Sequence, residues 1–98
     1  MRAKLLVKRH IVLSADQFAE VVIWQVPKAI AGSAHVFKYR LAFVVSGKCV
    51  IRYDNEAGKG DHRHIGEREK AYRFVDLDQL MADFEQDIAR WLDENGNA

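Results

Sequence analysis

The sequence predicts an α+β fold, an antiparallel sheet of about five strands in meander order with one C-terminal helix packed on it. The first two-thirds of the chain is rich in β-branched and aromatic residues with strand periodicity. The last quarter repeats its apolar residues at spacings of three and four, which is typical of a helix. The chain has 98 residues, the length of one domain, so we expect residues 1–98 to form a single domain.

Two apolar stretches near the N-terminus, residues 5–13 and 18–26, predict the first two strands. The four residues between them have the composition of a turn, which indicates a hairpin. Pro27 ends the second strand, because proline has no N–H group to donate to a neighbouring strand. Residues 28–35 (KAIAGSAH) have the composition of a linker, and we expect no functional residue there.

Alternating apolar residues in the middle of the chain predict a second hairpin. Matching the two apolar faces places Phe43 opposite Ile51 and favours a three-residue turn at residues 46–48. The same register places Arg40 opposite Asp54, and we expect an ion pair between them.

The C-terminal third is predicted to contain a loop, a strand and a helix. Residues 55–70 are polar and include three glycines, which predicts a long loop, and residues 71–75 predict a short strand. Asp76 is expected to cap a helix over residues 77–92, whose apolar residues form one stripe. The opposite face of this helix is acidic, with Asp78, Asp83, Glu85, Asp87 and Asp93.

The net charge of +1 conceals an uneven charge distribution. Residues 1–75 contain 14 Lys and Arg against 7 Asp and Glu, a charge of +7, whereas residues 76–98 contain 1 against 7, a charge of −6. This distribution, a basic body with an acidic terminal element, is compatible with a polyanionic partner such as RNA. The single Cys49 excludes an intrachain disulfide framework. Without 18 consecutive apolar residues or a signal-peptide pattern, we expect a cytoplasmic protein with no membrane anchor.

The predicted loop concentrates reactive side chains within eleven positions. They are Asp54, Glu56, Lys59, Asp61, His62, Arg63 and His64. If residues 62–64 are extended, His62 and His64 project to the same side, where one imidazole can act as a base and the other as an acid. Cleavage of RNA through its own 2′-hydroxyl needs such a pair, together with cations on the phosphate.

Glycines and cations near the histidines predict phosphate binding. Gly58 and Gly60 can adopt positive φ values and so aim backbone N–H groups at an anion, to which Lys59 adds a positive charge. Cations on the neighbouring sheet extend this surface along a nucleic-acid backbone. The predicted RNA-binding residues are Lys38, Arg40, Arg52, Gly58, Lys59, Gly60 and Arg63.

The same residues also fit a metal site or a purely structural role. His62, His64 and one nearby carboxylate can hold a divalent metal ion, although their spacing matches no recognised metal motif. The candidate carboxylates are Asp54, Glu56 and Asp61. In a purely structural role, Asp61 pairs with Arg63 and the histidines are ordinary surface residues. We favour chemistry without a metal and expect no cofactor.

Three segments of the sequence resemble a known family. They are IWQVP (23–27), FKYRLAFVVSGKCVIRYDNEAGKGDHRH (37–64) and YRFVDLDQLMADFEQDI (72–88). With them the chain closely resembles the small TumE-type toxins of prokaryotic toxin–antitoxin modules. The resemblance implies an intracellular toxin that inhibits growth, is neutralised by an antitoxin of helix-turn-helix character, and has ribonuclease activity.

Residues and resemblance together predict a toxin that cleaves RNA without a metal. His62 and His64 are the predicted acid and base, and Asp61 or Glu56 orients an imidazole. Lys59 and Arg63 are the predicted phosphate ligands. The alternative is a non-enzymatic toxin that binds RNA or a protein through the same segment. The sequence is also compatible with a homodimer.

Overall fold

The computed structural model describes residues 2–95, which form one antiparallel sheet of six strands and one C-terminal helix. The strands are β1 (Lys4–Ser14), β2 (Gln17–Gln25), β3 (Phe37–Val45), β4 (Lys48–Glu56), β5 (Gly60–Ile65) and β6 (Arg68–Ala71), and the helix α1 is Leu77–Asn95. Each strand pairs with the next along the chain, so the sheet is a meander. The predicted α+β architecture is confirmed, with one strand more than expected.

The hydrophobic core lies between α1 and one face of the sheet. Alternate residues of β2, β3 and β4 point to this face, and the apolar stripe of α1 packs against them. The largest fully buried apolar and aromatic side chains are Val21, Ile23, Tyr39, Leu41, Phe43, Ile51, Tyr53, Leu80 and Phe84. The predicted cap is also found, because the carboxylate of Asp76 accepts a hydrogen bond from the N–H of Gln79 at 2.7 Å. We call the opposite face of the sheet the open face, since within residues 2–95 no helix covers it.

The β3–β4 hairpin has the predicted pairing but a different turn. Phe43 lies opposite Ile51 as expected, yet the turn contains two residues, Ser46 and Gly47, instead of three. Both turn residues have positive φ values, 50° and 78°, which suit the twist of a two-residue hairpin. A bulge at Val50 supplies the extra residue and restores the alignment of the apolar faces.

The segment predicted to be a long loop is instead a further hairpin. Residues 55–70 comprise the end of β4, the strands β5 and β6, and two tight turns. The predicted strand at residues 71–75 is also wrong, because β6 ends at Ala71. β5 carries polar side chains on both faces, so it lacks the alternation of apolar and polar residues by which a strand is recognised.

Residues 28–35 do not form a free linker, since they pack against the β4–β5 turn. The N–H of Gly58 donates to the carbonyl of Ala31 at 2.8 Å. A Cβ atom on Gly60 would lie 2.5 Å from the carbonyl oxygen of Gly32, closer than a side chain tolerates. Glycine at position 60 therefore permits the close approach of these two backbones.

Candidate functional site

Five polar side chains from three neighbouring strands meet on the open face. The β4–β5 register sets Asp54 opposite His62 and Arg52 opposite His64, and the β5–β6 register sets His64 opposite Glu69. Because side chains alternate across a strand, all five project to the same face. We call Arg52, Asp54, His62, His64 and Glu69 the open-face cluster.

The members of the open-face cluster contact one another in a ring. Nε2 of His62 lies 2.7 Å from Oδ1 of Asp54, and Nε2 of His64 lies 2.8 Å from Oε2 of Glu69. Arg52 joins the two halves, with Nε 3.1 Å from Oδ2 of Asp54 and Nη2 2.9 Å from Nε2 of His64. The two imidazole rings lie 5.1 Å apart. The cluster thus places two imidazoles between two carboxylates and one guanidinium.

The two histidines differ in how far they are exposed. His62 is only 4% exposed, whereas the side chain of His64 is 25% exposed and that of Glu69 is 42% exposed. A general acid or base must reach within hydrogen-bond distance of its substrate. The partly exposed side chain of His64 can reach a substrate in its observed position, whereas the buried side chain of His62 cannot.

For the alternative metal site, the structure identifies which carboxylate lies beside His62 and His64. One ligand atom each from Asp54, His62 and His64 lies within 4.8 Å of the other two. Neither Glu56 nor Asp61 belongs to this group. The carboxylate that accompanies the histidines is therefore that of Asp54.

Asp61 lies on the α1 side of the sheet and contacts a different histidine. Its carboxylate accepts hydrogen bonds from Ser33 Oγ at 2.5 Å, from Tyr39 Oη at 2.7 Å and from His35 Nε2 at 2.6 Å. Burial opposes ionisation of Asp61, but the three hydrogen bonds outweigh it and lower the pKa of its carboxyl below the ordinary value of 3.8. The predicted role of Asp61 in orienting His62 or His64 does not fit this position.

Sequence reasoning gave His35 no role, and the structure makes it the partner of Asp61. Its Nδ1 accepts the N–H of Phe37 at 3.1 Å, so Nε2 carries the proton that Asp61 accepts. The ring also stacks on Phe74 at 3.8 Å. With both nitrogens occupied and one face covered, His35 fastens residues 28–35 to the sheet.

Arg63 also lies on the α1 side, away from the two histidines. Its Nη1 donates to the hydroxyl of Tyr53 at 3.2 Å and lies 3.5 Å from Oδ2 of Asp87. The Tyr53 hydroxyl in turn donates to Asp87, and the Tyr72 hydroxyl donates to another helix carboxylate at 2.5 Å. Arg63 therefore helps to fix the acidic helix to the sheet, and its predicted contact with a phosphate at the histidines does not fit its position.

The glycine-rich turn has the predicted positive φ values but does not form an anion nest. Gly58 and Gly60 have φ values of 86° and 75°. The N–H groups that a nest would offer are already used, since that of Gly58 donates to Ala31 and that of Lys59 donates to Glu56 at 3.1 Å. The Lys59 side chain remains 57% exposed, with Nζ 3.7 Å from Glu69.

A shallow groove of about 260 Å³ adjoins the open-face cluster on the β3 side. Val22, Trp24, Lys38, Tyr39, Arg40 and Asp54 line it. Arg40 lies opposite Asp54 as predicted, but the expected ion pair between them is not the one formed, because Asp54 pairs with Arg52. Lys38 donates to the carbonyl of Asn55, which leaves Arg40 as the exposed cation of the groove.

A family model described as Toxin TumE matches residues 2–92 of the 98, which confirms the family resemblance drawn from the sequence. No curated protein and no solved structure matches the chain. Within the described residues, no helix combines the length and apolar character that crossing a membrane requires.

Proposed function

Because this chain belongs to the TumE toxin family, we propose that it is the toxin of a toxin–antitoxin module and that it cleaves RNA at the open-face cluster. The observation that supports this site is the meeting of His64 with Glu69 and Arg52 on the uncovered side of the sheet. We expect the protein to act in the cytoplasm and to be neutralised by a cognate antitoxin of helix-turn-helix character.

In the metal-free version of the reaction, His64 accepts the proton of the 2′-hydroxyl that attacks the adjacent phosphate. Glu69, 2.8 Å away, orients the imidazole and stabilises its charge after proton transfer. Arg52 turns from His64 to the phosphate, where a guanidinium matches two oxygens. His62 is the predicted acid for the leaving 5′-oxygen, and for this role its covered ring has to turn outward.

Exposed cations on both sides of the open-face cluster suit an RNA strand. Lys59 lies beside Glu69 at one end, and Arg40 lines the groove beside Asp54 at the other. A phosphate backbone that follows the open face between them would pass over the open-face cluster. Trp24 in the same groove is 37% exposed, which leaves part of its ring for stacking on a base.

A metal-assisted version of the same cleavage is favoured by one observation, the enclosure of His62 and Asp54. A group that must exchange protons with a substrate needs access to it, whereas a metal ligand does not. The two versions use the same residues and differ in their response to a chelator.

The test is incubation of purified protein with RNA, followed by identification of the new ends. Cleavage through the 2′-hydroxyl leaves 2′,3′-cyclic phosphate ends. We expect His64→Ala to lower the cleavage rate by on the order of 10²-fold or more. His10→Ala is the matched control, because His10 is an exposed histidine on β1. Activity that survives excess chelator supports the metal-free version.

A second outcome would support the non-enzymatic alternative. If the purified protein leaves RNA intact while its expression still arrests growth, and His64→Ala still arrests growth, then the surface binds its target without cleaving it. Co-expression with the neighbouring gene tests the antitoxin, which should restore growth.

A further inference from the structure

The contact between His62 and Asp54 lacks the features of a hydrogen bond. Nε2 of His62 and Oδ1 of Asp54 are 2.7 Å apart and both atoms are buried. Within residues 2–95 neither atom has a hydrogen-bond partner, and the buried Nε of neighbouring Arg52 also has none. Buried polar atoms without partners are rare in folded proteins, and each one requires an explanation, such as a catalytic role or a bound water or ion.

The other nitrogen of His62 determines where its proton lies. Nδ1 is 3.0 Å from the carbonyl oxygen of Gly60, and a carbonyl can only accept, so Nδ1 carries the hydrogen. In the neutral ring, Nε2 then holds a lone pair beside the carboxylate of Asp54. Two acceptor atoms at 2.7 Å in a buried place repel each other unless a cation, either a second proton on the ring or a metal ion, lies between them.

His64 offers a third lone pair to the same place. Its Nε2 lies 2.9 Å from Nη2 of Arg52, which can only donate, and 2.8 Å from Oε2 of Glu69, so Nε2 is an acceptor once Glu69 turns to another partner. The ligand atoms of Asp54, His62 and His64 lie within 4.8 Å of one another. Since bonds from zinc to nitrogen and oxygen are about 2.0–2.2 Å, ligand atoms on one ion lie at most about 4.4 Å apart, and binding would draw the three atoms closer together.

We propose that Asp54, His62 and His64 bind one divalent transition-metal ion. Two imidazoles and one carboxylate form a ligand set used for Zn²⁺ and for Fe²⁺ or Mn²⁺, and three protein ligands leave a coordination position for water or a phosphate oxygen. The hydrogen bond from His62 Nδ1 to Gly60 is the support that metal-binding histidines usually have.

The charge of the surrounding side chains suits a divalent cation. Asp54 and Glu69 contribute two negative charges and Arg52 one positive charge, which leaves the five-residue cluster negative when its histidines are neutral, while Lys59 outside the cluster lies 3.7 Å from Glu69. With the ion bound, Arg52 retains its contact with Oδ2 of Asp54 and gives up the contact with His64. Glu69, 2.8 Å from Nε2 of His64, is then free to orient a bound water.

The binding of the ion follows from the geometry alone, whereas its use in cleavage rests on the proposed function. An ion at this position would withdraw charge from a phosphate oxygen. It would also give His62 a role that needs no access to solvent.

The test is titration of the chelator-stripped full chain with Zn²⁺, Mn²⁺ and Co²⁺, followed by calorimetry. We expect one ion per chain and a rise in the melting temperature. Asp54→Asn and His62→Gln should weaken binding by on the order of 10- to 100-fold or more. The matched controls, Asp16→Asn and His10→Ala, change exposed side chains elsewhere and should bind as the wild type does.

Nitrogen NMR of the wild-type histidine rings keeps the proposal testable if a variant fails to fold. Added Zn²⁺ should shift Nε2 of His62 and His64 and leave the proton on Nδ1 of His62. Absence of any binding tighter than about 1 mM, or one-to-one binding undiminished in both variants, overturns the metal site. Binding of the ion by a protein that does not cleave RNA would uphold the metal site and refute the proposed function. Cleavage of RNA by a protein that binds no ion would uphold the proposed function and refute the metal site.

Discussion

Asp61 and His64 lie on opposite faces of β5, although only two residues separate them. Asp61 accepts hydrogen bonds from Ser33, Tyr39 and His35 on the α1 side, whereas His64 contacts Glu69 and Arg52 on the open face. One strand therefore serves two purposes. The side chains on its α1 side stabilise the fold, and those on its open face belong to the candidate site.

We expect Asp61→Asn to weaken the fold while leaving the chemistry of each folded molecule intact. The carboxylate accepts three hydrogen bonds, and its loss should lower the free energy of unfolding by about 2 kcal/mol, the size typical of hydrogen bonds to charged groups. Urea denaturation measures the stability, and the cleavage rate is then scaled to the folded fraction. Full stability with lost cleavage would instead place Asp61 in the active site.

Glu69→Gln should have the opposite effect, lowering activity with little change in stability. Glu69 is 42% exposed, so its contacts with His64 and Lys59 add little to folding. Its contact with His64 should matter for activity, and we expect the cleavage rate to fall by on the order of 10²-fold. Glu67→Gln, an exposed neighbour in the β5–β6 turn, is the matched control. Equal rates for the two variants would remove Glu69 from the site.

Gly60→Ala should destabilise the protein more than Gly58→Ala. Both glycines have positive φ values, which cost an alanine roughly 1–2 kcal/mol. Only at Gly60 does the added Cβ also strike the backbone of Gly32, which adds roughly 1–3 kcal/mol. Thermal denaturation of the two variants compares them directly. Equal destabilisation would mean that residues 28–35 do not pack on this turn.

Alkaline pH should destabilise the protein through its tyrosines. Each hydroxyl donates to a carboxylate, in the pairs Tyr39–Asp61, Tyr53–Asp87 and Tyr72–Asp83. Burial, and then the hydrogen bond to the carboxylate, raise all three pKa values above the ordinary 10.0. Above pH 10 the folded state therefore binds more protons than the unfolded state, and stability falls as the pH rises. Absorbance at 295 nm measures ionisation. Tyrosinate near pH 10 in the folded protein would contradict these contacts.

Reversing the charge at Arg40 and Lys59 together should weaken RNA binding. The two exposed cations flank the open-face cluster, and contacts with phosphate weaken binding for all sequences alike when they are lost. We expect about tenfold weaker binding and a shallower salt dependence. Reversing Lys48, which is exposed in the first position of β4, is a single-site control. A change in binding free energy at Lys48 half as large as that of the double variant would indicate that only net charge matters.

The sequence predicted those parts of the fold in which apolar residues alternate. Phe43 and Ile51 were paired correctly because a shift by one residue would have turned every apolar side chain to solvent. The two-residue turn was missed because the bulge at Val50 compensates for it. β5 was missed because both its faces are polar, one for the fold and one for the candidate site.

The candidate site was predicted in its histidines, with Asp54 as one of three candidate carboxylates and Arg52 as an RNA-binding residue, but Glu69 was not predicted. The alternation of His62 and His64 follows from any extended backbone, so it could be predicted without knowing the sheet. The contacts with Asp54 and Glu69 depend on the pairing of β5 with β4 and β6, which a predicted loop does not provide. His35 lies 26 residues from Asp61, and the path of the segment between β2 and β3 brings them together.

The most direct test of the open-face cluster as the toxin's working site is growth after induced expression of His64→Ala, beside His10→Ala and the wild type. All three proteins should accumulate and fold to the same extent, as measured by circular dichroism of the purified chains. We predict that the wild type and His10→Ala arrest growth and that His64→Ala does not. Growth arrest by His64→Ala at the wild-type level would contradict the assignment of the site to this cluster.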